Sequence, residues 1–295
     1  MQSQTTRPGD SLRESTPLLA SRPTTPRRRP RSSAGVVRPT GAGVRFVPAV
    51  VARNRKAVVG TIDAVGTEVV GFAPGDRVAS LGATRNIAEQ RILDSGNLIG
   101  VPRDVSGEQA AALLPQGLVA RVLVKEAHAV GGGETVLVHA ADGLLGSLIV
   151  AWAKSLGATV IGTVGAEAAV ETAARAGADH VIVFGRDDVA ALVHELTNGR
   201  RADVAYDGVG AVTRASSAAS LRRGGDLVLF GRESELPFAP DEDITVLRPR
   251  MADHLRAGSI QQGASDLFLA IRSGVFSGID VSRFVTDVAS VALAA

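Results

Sequence analysis

From residue 135 onward the hydrophobic positions fall into short runs of one kind. The stretches TVLVH at 135–139, TVIGT at 159–163, HVIV at 180–183, DVAY at 203–206 and DLVLF at 226–230 are Val-rich and Ile-rich and show no alternation. Strands read this way when helices cover both faces of a parallel sheet. A weaker sixth run spans Asp243 to Leu247. Between the runs, apolar residues recur at helical spacing and predict helices near Leu144–Leu156, Ala166–Ala176, Asp187–Thr197 and Thr213–Leu221. Strand and helix in repeated succession predict an α/β fold, a doubly wound parallel-sheet Rossmann domain, over 116–250.

Upstream the pattern changes. Between Phe46 and Val101, β-type runs such as AVVGTIDAV and DRVASL are split by Gly and Pro turns, FAPGD among them, and predict a small β-rich unit over 46–115. The segment VPRDVSGEQAAALLPQGLVARVL then reads as a turn at Pro102–Ser106 followed by a helix. Beyond Met251 the chain reads as mostly helical, most clearly at Ser265–Arg272, so 251–295 is expected to return toward the β-rich unit without a closing element. The first 45 residues, with RPTTPRRRPRSS in their middle, have no apolar period that buries a face, and predict a disordered basic tail.

Charge follows this division. The 295 residues carry a formal net charge of +2, but residues 1–45 hold nine Arg against Asp10 and Glu14, a balance of +7, which leaves −5 for the rest. The basicity sits in one tail, so nucleic acid is not the expected partner, and a solvated tail explains Arg27–Arg29 and Arg31 better than a membrane contact. An Arg-rich, Ser-rich leader also suits organelle transit, but Pro23, Pro26 and Pro30 spoil an amphipathic helix, and a cytoplasmic location is expected. The apolar runs are too short to span a bilayer. With no Cys, disulfides and thiolate-ligated metals are excluded, and His128, His139, His180, His194 and His254 show no ligand spacing, so no metal site is expected.

The candidate chemistry lies where the first strand of the α/β pattern meets its helix. Ala141-Asp142-Gly143-Leu144-Leu145-Gly146 stands where a dinucleotide-binding G-x-G-x-x-G stands, with Ala at the first glycine. Gly143 would let backbone approach a pyrophosphate, Gly146 would let the helix pack on its strand, and first-turn N–H groups would supply donors. The alternative is a tight turn that binds nothing. About 20 residues on, the second strand ends in Thr163-Val164-Gly165 with no acid before Glu167, which favours NADPH over NADH; yet no Arg or Lys stands in Val164–Ala174 to hold a 2′-phosphate.

Taken together, VGFAPGDRVA at 70–79, AALLPQGLVARVL at 111–123, GETVLVHAADGLLGSLIVAWAKSLGATVIGTV at 133–164, AGADHVI at 176–182, DVAYDGVG at 203–210 and LVLFGRES at 227–234 resemble the zinc-independent, zeta-crystallin-like quinone oxidoreductases of the medium-chain dehydrogenase/reductase superfamily. The resemblance runs from about Gly60 to Val285. It implies an incomplete GroES-like substrate domain beside the Rossmann domain, and NADPH-dependent hydride transfer to a quinone or conjugated carbonyl. It also places the cofactor against Ala141–Gly146, Thr163, Val164, Gly165, Asp207, Gly208, Val209, Phe230 and Gly231. The family has no universal acid–base pair, so no catalytic residue is implied. The family's opening half-domain has no counterpart before Phe46, and its final helix and strand have none at the other end; unpaired edges of this kind favour a homodimer. The family's Lys near the second-strand tip is Ala169, its Tyr after the third strand is Phe184, and its Thr beside the nicotinamide is Val119.

The remaining residues have competing roles. Asp142 stands where the family keeps a small neutral residue, and reads as an N-cap that competes with phosphate for the same donors, or as a regulatory group. Tyr206 reads as packing, with proton donation to a quinone as the alternative. Asp207 either lines the ligand crevice or caps the next helix. Trp152 shares a helix face with Leu145, Leu148 and Ile149 and reads as core. Three functions follow: an NADPH-dependent quinone or enone reductase, a nucleotide-binding remnant without turnover, and an enoyl reductase of the same superfamily.

Overall fold

The computed structural model describes residues 39–82, 91–232, 234–240 and 243–288. The first half contains β1 (Gly43–Ala52), β2 (Ala57–Val65), β3 (Arg77–Leu81), β4 (Arg91–Asp94), β5 (Leu98–Gly100) and the helix α1 (Gly107–Val122). The second half runs β6 (Thr135–Val138), α2 (Leu144–Ser155), β7 (Thr159–Val164), α3 (Val170–Arg175), β8 (His180–Val183), α4 (Val189–Leu196), β9 (Ala202–Asp207), α5 (Arg214–Ala219), β10 (Leu221–Leu229) and β11 (Thr245–Leu247). It closes with α6 (Met251–His254), α7 (Ala257–Arg272) and β12 (Val285–Asp287).

In the parallel sheet, β8-β7-β6-β9-β10-β11, the apolar runs are sorted by the two-residue period of a strand. Val136 and Val138 enter one core and Leu137 the other; Val160 and Val164 oppose Ile161; Val204 and Tyr206 oppose Ala205; Val228 opposes Leu227 and Leu229. Both faces are therefore buried, which is why no alternation shows in the sequence. This strand order is the doubly wound 3-2-1-4-5-6, whose topological switch falls between β6 and β9.

The second sheet is antiparallel, in the order β12-β1-β2-β3-β5 with β4 also on β1, and encloses Val44, Phe46, Val51, Val58, Ile62, Val78 and Leu98. The two sheets share α1. Ser106 and Gln109 form a reciprocal capping box at its start, and Ala110 to Leu114 are buried in unbroken succession, as expected of a helix covered on all sides. A π-helical turn, Leu123–Ala127, leads from it to the parallel sheet. Helix α7 lies against α1 through small residues: a Cβ on Gly117 would stand 2.6 Å from Leu267, and one on Gly263 would stand 2.8 Å from Leu118.

Two expectations need correction. The tail expected over 1–45 lies outside the described residues through 38, and β1 has already begun at Gly43, with Val44 fully buried. The C-terminal segment does have a closing element, because β12 returns to pair antiparallel with β1, Val51 opposite Thr286.

Candidate functional site

The turn after β6 is built by backbone. Ala140 adopts the left-handed conformation, φ +51°, and its carbonyl accepts from the Gly143 N–H at 3.0 Å. Gly143 is the N-cap of α2 and brings no side chain to its first turn. Gly146 sits so close to the strand end that a Cβ would stand 2.1 Å from the Ala140 carbonyl oxygen. Ala141 is tolerated at the first-glycine position because Gly162 of β7 lies opposite, where a Cβ would come within 2.8 Å of the Ala141 methyl. Leu144 and Leu145 are half-buried and Gly143 is exposed, so a helix N-terminus without a side-chain cap faces the crevice at the switch point.

Asp142 is not the cap that its residue type predicts. The chain places Gly143 there, while Asp142 is half-buried beside a small cavity that it shares with Ser147, Thr172, Arg175 and Arg283. A carboxylate that does not reach back to the first turn cannot compete for its N–H groups.

Beneath the turn runs a buried chain of polar side chains. The Thr163 hydroxyl lies 2.8 Å from His139 Nδ1, His139 Nε2 lies 2.9 Å from Ser217 Oγ, and Ser217 Oγ donates to Asp207 Oδ2 at 2.7 Å. Asp207 Oδ1 also accepts from the Val209 and Gly210 N–H groups and, at 2.8 Å, from Thr213 Oγ1. With Ser217 donating to the carboxylate, His139 Nε2–H donates to Ser217 and Nδ1 accepts from Thr163, which is a neutral imidazole. Burial pushes the His139 pKa below its ordinary value, against the pull of Asp207. His139, Thr163, Asp207 and Ser217 are all at most 2% exposed, so this is scaffolding that fixes the ends of β6, β7 and β9 and offers no nucleophile.

The other sequence candidates sort by exposure. Thr163 and Val164 turn inward, and of the three candidates at the β7 tip Gly165 alone is exposed. Asp207 spends its carboxylate on its own turn and on the start of α5. The Tyr206 hydroxyl donates to the Leu123 and His128 carbonyls at 3.2 and 3.3 Å, and burial raises its pKa, so Tyr206 is packing and not a proton donor. Trp152 is core, edge-on to Phe276. Phe230 lies over Gly208, where a Cβ would stand 2.3 Å from its ring, and Gly231 follows in the left-handed region.

A pocket of about 390 Å³ opens beside the turn, walled by Val119, Leu145, Phe230, Gly231, Ser234, Glu235, Pro249, Arg250, Met251 and Ala252. The sequence marks Val119, Leu145, Phe230 and Gly231 but not the others: Ser234 and Glu235 come from the segment between β10 and β11, Pro249 and Arg250 from the segment between β11 and α6, and Met251 and Ala252 from α6 itself. Nor, at the β7 tip, does it mark Arg186, which comes from the turn after β8 and bonds Glu167 through Nη1 and Asp187 through Nε and Nη2. Among the described residues, no group of three or more His, Asp or Glu side chains is placed to hold a metal ion, and no helix is long and apolar enough to cross a membrane.

Residues 145–267 match the zinc-binding dehydrogenase family. The 2-haloacrylate reductase of a Burkholderia species is 36% identical over 257 residues, covering 82% of this chain and 75% of that protein. The chain belongs to the quinone oxidoreductase family of medium-chain dehydrogenases/reductases. A quinone oxidoreductase of Pseudomonas aeruginosa is 39% identical over 176 residues, which are 59% of this chain and 54% of that protein. The crystal structure of Escherichia coli quinone oxidoreductase complexed with NADPH superposes with a TM-score of 0.71 at 26% identity, covering 81% of this chain and 82% of that one. In this quinone oxidoreductase family member the parallel sheet is the Rossmann domain, and the antiparallel sheet is the GroES-like half-barrel.

Proposed function

We propose that the chain is an NADPH-dependent oxidoreductase that reduces a quinone or a conjugated carbonyl. The observation that carries this reading is the α2 N-terminus: it lies at the switch point of the parallel sheet without a side-chain cap, beside a pocket of about 390 Å³ walled mainly by Val119, Leu145, Phe230, Pro249, Met251 and Ala252. These residues fit a dinucleotide. First-turn N–H groups would meet the pyrophosphate, exposed Gly143 and Gly165 leave room for backbone to approach it, and Phe230–Gly231 with the Asp207–Gly210 turn would flank the nicotinamide side.

When bound, NADPH supplies the hydride. The chain's part is to orient both reactants and to exclude water from one side of the acceptor, which is the main lever in such reactions. The titratable groups on the pocket wall, Glu235 and Arg250, are exposed, and Tyr206 is sealed away, so the proton taken up by the reduced oxygen comes from solvent. The similarity to a 2-haloacrylate reductase supports conjugated acids as acceptors beside quinones. Zinc independence, a cytoplasmic location and a homodimer belong to the same proposal. Among the described residues β11 has β10 as its one ladder partner, and a free edge supports pairing with a second copy.

The test is NADPH binding, followed by fluorescence of the reduced nicotinamide, beside NADPH consumption with 1,4-benzoquinone. Both are expected. Binding without consumption of NADPH by any quinone or enone would select the nucleotide-binding protein without turnover.

A further inference from the structure

In the doubly wound order, the tip of the second strand meets the adenosine ribose, and a cation there selects the 2′-phosphate. No Lys or Arg stands between Val164 and Ala174. The structure supplies one from elsewhere. Arg186 follows β8, the strand next to β7, and its guanidinium spans the gap between them: Nη1 donates to Glu167 Oε2 at 2.5 Å, while Nε and Nη2 hold Asp187 at 2.8 and 2.9 Å. Asp187 is itself anchored, because its Oδ2 accepts from the Val183 N–H at 3.1 Å. One edge of the guanidinium is therefore fixed from β8, and the other is presented at the β7 tip.

A Cβ on Gly165 or on Gly185 would meet nothing within 4 Å, so the chain is open to solvent just after β7 and just after β8. The present occupant of the Nη1 edge is a carboxylate, the chemistry an incoming phosphate oxygen would replace. The Arg186 and Glu167 side chains are 60% and 72% exposed, so solvent screens their pairing, and a dianionic phosphate can displace the carboxylate.

We propose that Arg186, positioned by Asp187, is the residue that binds the 2′-phosphate, and that Glu167 is its built-in competitor, so that this pair sets the preference between NADPH and NADH. The inference rests on the dinucleotide reading above, and it assigns the role to residues that neither motif spacing nor the family pattern marks.

The test uses binding alone. The full chain is titrated calorimetrically with adenosine 2′,5′-bisphosphate and with ADP, which lacks the 2′-phosphate. Arg186→Ala is expected to weaken the bisphosphate on the order of tenfold while leaving ADP within about twofold, and Glu167→Gln to tighten the bisphosphate severalfold. Equal losses for both probes in Arg186→Ala, or no loss for either, would overturn the assignment while leaving the dinucleotide site standing. A weaker ADP affinity in Glu167→Gln would also overturn it, since Glu167 would then be serving the ribose hydroxyl. Failure of the unaltered chain to bind either probe would remove the dinucleotide reading together with this one.

Discussion

His139 shows how a residue beside the candidate dinucleotide turn can be structural. Its ring is sealed between Thr163 and Ser217, and its pKa lies below the ordinary 6.5 because burial penalises the charged form. The unfolded chain therefore takes up a proton first. Stability from this group is intact above about pH 6.5 and is lost as pH falls, at a slope approaching about 1.4 kcal/mol per pH unit until the folded value is reached. Melting temperature should thus fall between pH 7 and pH 5, and His139→Asn should flatten that fall; an unchanged slope would show that His139 does not titrate there. Asp142 is the opposite case, a residue whose type suggests a cap and whose position denies it. With competition for N–H groups removed, only the solvent-screened repulsion between the carboxylate and the phosphate is left, on the order of 0.3–1 kcal/mol. Asp142→Ala should therefore tighten NADPH about two- to fivefold in a fluorescence titration. A larger gain would mean that the carboxylate does reach the first turn.

At the scale of elements, the glycines of the turn carry the argument. Gly146 brings α2 against the end of β6, and the atom a methyl would strike is a backbone oxygen that cannot rotate away. Gly146→Ala should destabilise the protein by about 1–3 kcal/mol in urea unfolding and weaken NADPH binding as the helix start shifts. The parallel strands and their helices were legible because both faces of each strand are buried and the helices are amphipathic, and the turn was legible because it joins one to the other. Strand β1 was not. Pro48 and two register shifts, at Arg45/Phe46 and at Pro48/Val50, break the alternation that would have marked it. Strand β12 has three residues, too few to show a period, and exists because β1 offers an edge. Arg186 and the 249–252 wall were hidden for another reason: their place at the site is set by tertiary packing and not by distance along the chain.

For the whole molecule, α1 is the element shared by the two sheets, and the pocket lies where its Val119 meets the Rossmann crevice. Acceptor and cofactor would meet at that junction, so the GroES-like half-barrel matters to function through α1 and α7 as well as through its own surface. Hydride would pass there from NADPH to a conjugated acceptor. The most direct measurement is transfer of deuterium from NADPH labelled at the nicotinamide C4 to a conjugated carbonyl, read by mass spectrometry of the product. Deuterium on a carbon of the reduced product is the predicted result; bound, labelled NADPH with no deuterium in any product would contradict it.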